Sequence, residues 1–358
     1  MTPLDVGHLF ATALVFRLGV IAVTMALWRH ERSARLVGFT GSALASMMTA
    51  VLAIAVLRTG TSVEGVLFLH PATGFSLGYV VDGLSAWFLL ILSVLAVPVA
   101  VYSLGYVAHA PLNRRSVFLG VGFNLMVGAV EVTFAAGDVL TFLGAWEMMT
   151  LSTAALVATE HTAPASRRAA YLYLAMSHLA TGGLIAGFMV LASVSGTLSF
   201  SALFSSEFLT SEPLRHGLFA LFFIGFGVKA GIVPLHVWLP EAHPAAPTSI
   251  SAFMSGVLIK TGIYGIVRVC AFGLGVPFLS WGVIVVLVGG LSALLGVLYA
   301  LMQHDLKRLL AYHSIENIGI ILLGLGAGMI GLTYGRSDVA ALGVAASLYH
   351  VLNHAVFK

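Results

Sequence analysis

Residues 219–266 read FALFFIGFGVKAGIVPLHVWLPEAHPAAPTSISAFMSGVLIKTGIYGI. Two long apolar runs are joined by a short proline-rich turn, and each run carries one lysine near its middle, Lys229 in the first and Lys260 in the second. A charge at bilayer depth costs about 3 kcal/mol on insertion scales, so both lysines are candidate functional groups. Five residues past the first lysine stands Pro234. Proline lacks an N–H, which strips the Ala230 carbonyl of its helical partner and biases Val233 away from helical geometry. Gly225, Gly227 and Gly231 loosen the same turn. Transporters use a broken helix beside a buried charge to set freed backbone groups against a water-lined cavity. The plainer alternative is a proline-kinked span whose lysine snorkels outward, but Lys229 lies too deep in its run to reach either surface easily.

Composition places these runs in a membrane. The chain has 358 residues, 59% hydrophobic and only 9% charged, with mean hydropathy +1.02, whereas a soluble domain carries about 25% charged residues. The expected fold class is an all-α polytopic membrane protein with no soluble domain. A net charge of +3, dispersed along the chain, gives no nucleic-acid partner. The one cysteine, Cys270, excludes an intrachain disulfide and a cysteine-ligated cluster. There is no phosphate loop after a strand, no CxxC pair and no nucleophile with a base at useful spacing. No cofactor is expected in this chain, and an autonomous enzyme is the least favoured reading. Any redox centre would belong to other chains.

Eleven spans of the length a hydrocarbon core requires run over 7–28, 36–57, 80–106, 117–136, 138–158, 168–194, 216–239, 249–272, 277–302, 307–330 and 338–358. Gly7 to Trp28 lacks a basic flank before it and is long enough to span, so it reads as the first helix and not a cleaved signal. Arg58 to Tyr79 reads as a polar, glycine-containing connection, and Ser195 to Arg215, with Glu207 and Glu212, as another that can hold a short surface helix. Arg29, Arg32, Arg35, Arg114, Arg115, Arg167, Arg168, Lys307 and Arg308 fall on one side, against Arg58, Arg215, Arg268 and Arg336 on the other. The excess of basic residues puts the first side in the cytoplasm, the N-terminus outside and the turn Glu241 to Pro247 inside. The last span stops at Lys358 without a loop or polar tail, so the chain reads as part of a longer protein.

The ionisable residues at depth are Arg17, Glu131, Glu147, Lys229, Lys260, Glu316 and Lys358, with His178, His236, His313, His350 and His354. Glu147, in FLGAWEMMTLSTAAL, lies about a third of the way into the fifth span. An isolated buried carboxylate takes up a proton and an isolated buried lysine loses one, whereas a close pair keeps both charges. Movement that alters the distance between such groups can therefore release a proton. A static ion pair is the alternative for Glu147. Glu131 lies near the outer end of the fourth span and reads as exposed or capping, while Asp5 and His8 can draw Arg17 outward. His350 and His354, four residues apart, share a helical face that Lys358 continues. The three make a proton relay near neutral pH; satisfied core histidines and a metal or haem site are the competing readings, the latter lacking further ligands. His313 and Glu316, one turn apart near the cytoplasmic end of the tenth span, read as capping or as pairing with Lys307 and Arg308 rather than as conducting.

These same stretches carry a resemblance. AWEMMTLS, GVKAGIVPLHVWLPEAHPAAPTSISAFMSG, LIKTGIYGIVR, DLKRLLAYHSIENIGIILLGLGAG and LYHVLNHAVFK are similar to the antiporter-like membrane subunits shared by respiratory complex I, Mrp-type cation/proton antiporters and membrane-bound hydrogenases, most of all the hydrogenase-4 and formate hydrogenlyase kind. The resemblance implies a fold of ~14 core helices with two inverted five-helix repeats. Residues 1–116 would be N-terminal helices, 117–272 the first repeat and 273–358 an incomplete second one. It implies that Glu147 is the fifth-helix glutamate, Lys229 the lysine of the broken seventh helix, Lys260 the eighth-helix lysine, and His350, His354 and Lys358 the eleventh-helix titratable positions. The second broken helix and an exit-side charge would lie beyond Lys358.

The resemblance further implies a proton-translocating subunit in a bacterial or archaeal cytoplasmic membrane, partnered by lipid, by other membrane subunits and by a peripheral hydrogenase or other redox arm. Two alternatives stay open: an Mrp-type Na⁺/H⁺ antiporter subunit, and a structural anchor that docks a redox arm without pumping.

Overall fold

In lipid no water is at hand to satisfy backbone polar groups, so the apolar runs close their hydrogen bonds within themselves as helices. The computed structural model describes residues 6–72, 75–107, 115–204 and 209–358; Asp5, Arg114 and Glu207, invoked above, lie outside the described residues. The helices are α1 Leu9–Ala26, α2 Glu31–Thr59, α3 Gly83–Tyr106, α4 Arg115–Ala135, α5 Val139–Val157, α6 Pro164–Ser195, α7 Glu212–Ala230, α8 Leu239–Ala245, α9 Thr248–Gly273, α10 Leu279–Leu301, α11 Leu306–Thr333 and α12 Ser337–Phe357. A single helical turn, Phe200–Leu203, stands between α6 and α7. Among the described residues, ten helices are long and apolar enough to cross a membrane. The expected span over 216–239 is not one helix: α7 stops at Ala230 and α8 begins at Leu239, so Glu241 in the presumed turn is helical.

Helix ends follow local chemistry. Asp82, Asp138 and Asp305 cap α3, α5 and α11, each carboxylate accepting a first-turn backbone N–H at 2.8–2.9 Å. Gly60, Gly196 and Gly231 close α2, α6 and α7 with φ of 69°, 70° and 75°, a region that favours glycine.

The stretch Arg58 to Tyr79 is not an irregular connection. It forms an antiparallel hairpin of β1 Val63–His70 and β2 Phe75–Val81, with Val63 opposite Val81 and His70 opposite Phe75. The signal was present in VEGVLFLH and FSLGYVV, two β-branched and aromatic runs flanking a Pro-Ala-Thr-Gly turn. Gly65 leaves room for the Tyr79 ring, which would lie 2.6 Å from an added Cβ. The Tyr79 hydroxyl donates to the Gly7 carbonyl at 2.9 Å, and Gly78 N–H donates to Asp138 at 2.8 Å. The α5 cap thus also holds the hairpin base.

The chain divides into two compact units, Met1–Thr159 with Pro247–Phe253, and Glu160–Ala246 with Met254–Lys358. In the first, α1 packs on α2 and α4, α2 on α3, and α4 on α5. At its centre Arg17 and Glu131 overturn the expectation of an exposed or capping acid and an outward-drawn arginine. Glu131 is fully buried, and Arg17 meets it bidentately, Nε to Oε2 at 3.0 Å and Nη2 to Oε1 at 2.7 Å. Arg17 also donates to Ser42, Asn124 and Ser46 at 3.0–3.2 Å, and Thr49 donates to Glu131 at 3.0 Å. The guanidinium is planar and has five donors, so partners on two helices can saturate it where bulk water is absent.

Breaking such a pair strands a charge. Arg17→Leu is expected to destabilise the chain by about 3–5 kcal/mol, while Arg17→Leu with Glu131→Leu recovers most of that loss. Thermal unfolding of the detergent-solubilised single and double variants measures both.

Candidate functional site

α7 ends one residue after Lys229, and the route of the chain beyond it explains how the break is tolerated. Gly231 turns left-handed, and Gly231 and Ile232 N–H both donate to the Gly227 carbonyl, at 2.9 and 3.1 Å. Val233 N–H is taken by Ser292 Oγ on α10 at 3.0 Å, ahead of a cis Val233–Pro234 bond. The Val228 carbonyl, freed by the break, accepts the Trp238 indole N–H at 2.7 Å. Each backbone group named here has a partner, which lets non-helical chain persist inside protein at membrane depth.

Lys229 is 1% exposed. Its ammonium donates to the Tyr173 hydroxyl at 2.7 Å and lies 4.8 Å from the centre of that ring. Tyr173 comes from α6 and is itself held against Trp238, ring to ring at 5.0 Å. Sequence reasoning passed over Tyr173. In the run YLYL it is indistinguishable from Tyr171, yet Tyr171 is exposed and Tyr173 wholly buried. Only the rotation of α6 separates them.

Lys260, also 1% exposed, sits just past a π-helical turn at Met254–Leu258 in α9. Its Nζ donates to the Ser255 carbonyl at 2.5 Å. A π turn widens the helix and re-aims backbone groups, and such turns recur at functional sites. α7 and α9 meet at backbone contact: a Cβ added to Gly262 would lie 2.4 Å from the Phe226 carbonyl oxygen and 2.6 Å from Ala230 N. Gly262 thus lets the helix that carries Lys260 cross the helix that carries Lys229.

α12 packs against the π turn and against α11. His354 is fully buried, and neither of its ring nitrogens has a hydrogen-bond partner among the described residues. His350 Nε2 pairs with Asn317 Oδ1 on α11 at 2.9 Å, so that nitrogen carries the proton in this arrangement. Lys358 donates to the Leu310 carbonyl at 2.6 Å. Lys260, His350, His354 and Lys358 are close enough for each to sense charge on others of the row.

One expected pairing is corrected. His313 and Glu316 do not partner Lys307 and Arg308; they pair with each other, Nδ1 to Oε2 at 2.5 Å. Lys307 donates to the carbonyls of Ala246 and Pro244 at 2.8 and 3.5 Å, and Arg308 engages the Pro240 carbonyl and the Glu241 carboxylate. The C-terminal end of a short helix leaves carbonyls without internal partners, and these hold Lys307; the Pro240 carbonyl is left for Arg308 because Pro244, four residues on, has no N–H.

Glu147 lies on α5 in the first unit, half-buried beside the buried Trp146. Lys229, Lys260, His350 and His354 all fall in the second unit. Among the described residues, no group of three His, Cys, Asp or Glu is placed to hold a metal ion.

A lysine buried at the end of a broken membrane helix, followed by a second buried lysine and a row of histidines, defines an antiporter-like membrane subunit. The chain belongs to the NADH:quinone oxidoreductase/Mrp antiporter transmembrane family, whose sequence profile matches residues 136–358. A second profile, the N-terminus of NADH-ubiquinone oxidoreductase (complex I) chain 5, matches residues 70–115. Hydrogenase-4 component B of Escherichia coli K12 is 40% identical over 281 residues, covering 77% of this chain and 41% of that protein. Formate hydrogenlyase subunit 3 of the same organism is 34% identical over 318 residues, covering 89% of this chain and 49% of that protein. The chain therefore spans less than half the length of these relatives. Among solved structures, a chain of the membrane-bound sulfane sulfur reductase, an archaeal respiratory membrane complex, superposes with a TM-score of 0.80 at 28% identity, covering 96% of this chain and 54% of that one.

The Gly262 crossing gives a direct check. Gly262→Val has no room for its side chain and is expected to abolish stable accumulation in the membrane, whereas Gly217→Ala on α7, where an added Cβ meets no atom within 4 Å, leaves it unchanged. Immunoblots of membrane fractions compare the two.

Proposed function

We propose that this chain forms part of a proton-translocating membrane subunit in a redox complex of the hydrogenase-4 or formate hydrogenlyase kind. It sits in a bacterial or archaeal cytoplasmic membrane, with its N-terminus outside and other membrane subunits and a redox arm as partners. The observation that carries this reading is the buried ammonium of Lys229, hydrogen-bonded to a phenol at the point where its helix stops. The charge state of a lysine buried at this depth depends on the groups around it, so a shift in those surroundings can release its proton. Glu147 supplies the electrostatic bias, by the role its family position implies. Lys229 passes its proton toward Lys260, and His354 and His350 carry it on. Residues 117–272 act as one repeat and 273–358 begin the second.

The mechanism uses only proton transfer and charge. By the role the family positions of Glu147 and Lys229 imply, a change in the charge near Lys229 makes its ammonium give up a proton or recover one. The Gly231 turn and the non-helical stretch that follows it lie beside this group, where water can serve as the carrier. Redox work elsewhere in the complex sets the direction.

The test uses the full-length subunit in its intact complex, in inverted vesicles. Lys229→Ala is expected to remove most substrate-driven acidification per electron transferred while assembly and electron transfer persist, and Tyr173→Phe to lower it less. Acidification per electron that is unchanged in Lys229→Ala would make the lysine structural and the chain an anchor. Acidification that requires sodium would favour the Mrp-type antiporter reading.

A further inference from the structure

The proposed path leaves one acid and one imidazole of the second unit unused. His313 and Glu316 form their 2.5 Å pair on α11 with side chains 37% and 23% exposed. A partly exposed ion pair on one helix face adds little stability. Its surroundings are not those of a surface pair, however. An added Cβ on Gly296 of α10 would lie 2.5 Å from Glu316 N, so backbone contact fixes the rotation of α11 at this turn. The adjacent residue, Asn317, holds the His350 ring. One and a half turns earlier, the Leu310 carbonyl holds Lys358. The Glu316 carboxylate lies within electrostatic reach of both His350 and Lys358. It therefore stands between the open flank of α11 and the buried row.

Other charged and titratable groups on the elements around α11 are Tyr299 on α10, Glu241 and His243 on α8, Lys260, Tyr264, Arg268 and Cys270 on α9, and Asp338, Tyr349 and His354 on α12, with Lys307, Arg308 and Tyr312 on α11 itself. Arg308 is engaged by Glu241, Lys307 by backbone carbonyls, and Arg268 by the Tyr264 hydroxyl. His350 and Lys358 remain as the groups to which Glu316 couples.

We propose that the His313–Glu316 pair is a proton-exchange port joining cytoplasmic water to the row of Lys358, His350, His354 and Lys260. One proton moves at each step: a protonated Glu316 becomes carboxylate as His350 becomes imidazolium, and His313 reprotonates Glu316 from water. No other bond changes. The direction of flow rests on the transport reading above, whereas the coupling of Glu316 to His350 does not.

Infrared difference spectroscopy of the full-length complex, stepped through pH in H₂O and D₂O, tests the coupling. Glu316→Gln is expected to remove a carboxyl band from the difference spectrum, and His350→Gln and His313→Gln each to move that band, as loss of a near neighbour does. In vesicles, Glu316→Gln should lower acidification per electron several-fold, with Glu316→Asp restoring part of it. A Glu316 band that ignores both histidine substitutions overturns the port, whatever Lys229→Ala does. Normal acidification in Glu316→Gln alongside a loss in Lys229→Ala overturns it too, and leaves the pump reading standing. No effect of Lys229→Ala, with the infrared coupling present, keeps the exchange pair and removes the pump.

Discussion

An ammonium buried among membrane-spanning helices must be answered by protein, and the surroundings of Lys229 are organised by that demand. The helix ends beside it, and the ending creates a second demand, since freed backbone groups in an apolar medium are themselves costly. Trp238 and Ser292 meet that demand, the first by an indole N–H and the second by a hydroxyl oxygen. Trp238 in turn braces Tyr173, which binds the ammonium. The charge, the break and the aromatic pair therefore form one assembly.

The two buried cationic centres differ in kind. Arg17 is clamped by a bidentate carboxylate and three further side chains, all buried. Such a network holds one charge state and one geometry, which suits a fixed strut between α1, α2 and α4. Lys229 donates to a phenol and Lys260 to a backbone carbonyl, and His354 has neither nitrogen bonded among the described residues.

Glycine sets the distances in the second unit. An added Cβ on Gly319 would stand 2.4 Å from Ala293 N, and one on Gly343 2.5 Å from Gly328 N, so α10, α11 and α12 pack backbone to backbone. Without a hydrophobic drive between helices in lipid, such close approach is what van der Waals attraction requires. It also fixes helix rotation, and with it the row of His350, Asn317 and Glu316.

Much was legible in the sequence. The apolar runs, the break at Pro234 and the depth of Lys229 and Lys260 follow from local chemistry alone: helix propensity, the missing proline N–H and the cost of desolvating a charge. The i, i+4 spacing of His350 and His354 likewise needs no neighbours to be read. Partnership was not legible, because it depends on which faces of distant helices meet. Arg17 and Glu131 are 114 positions apart, Lys229 and Tyr173 are 56 apart, and only packing chose them. The same holds for His313, which found Glu316 because carbonyls on α8 had claimed Lys307 and Arg308. Composition and periodicity determined where the chain would be helical and where it would hide charge; tertiary structure decided what each charge would meet, since a hydrogen bond is set by distance and angle that no single segment contains.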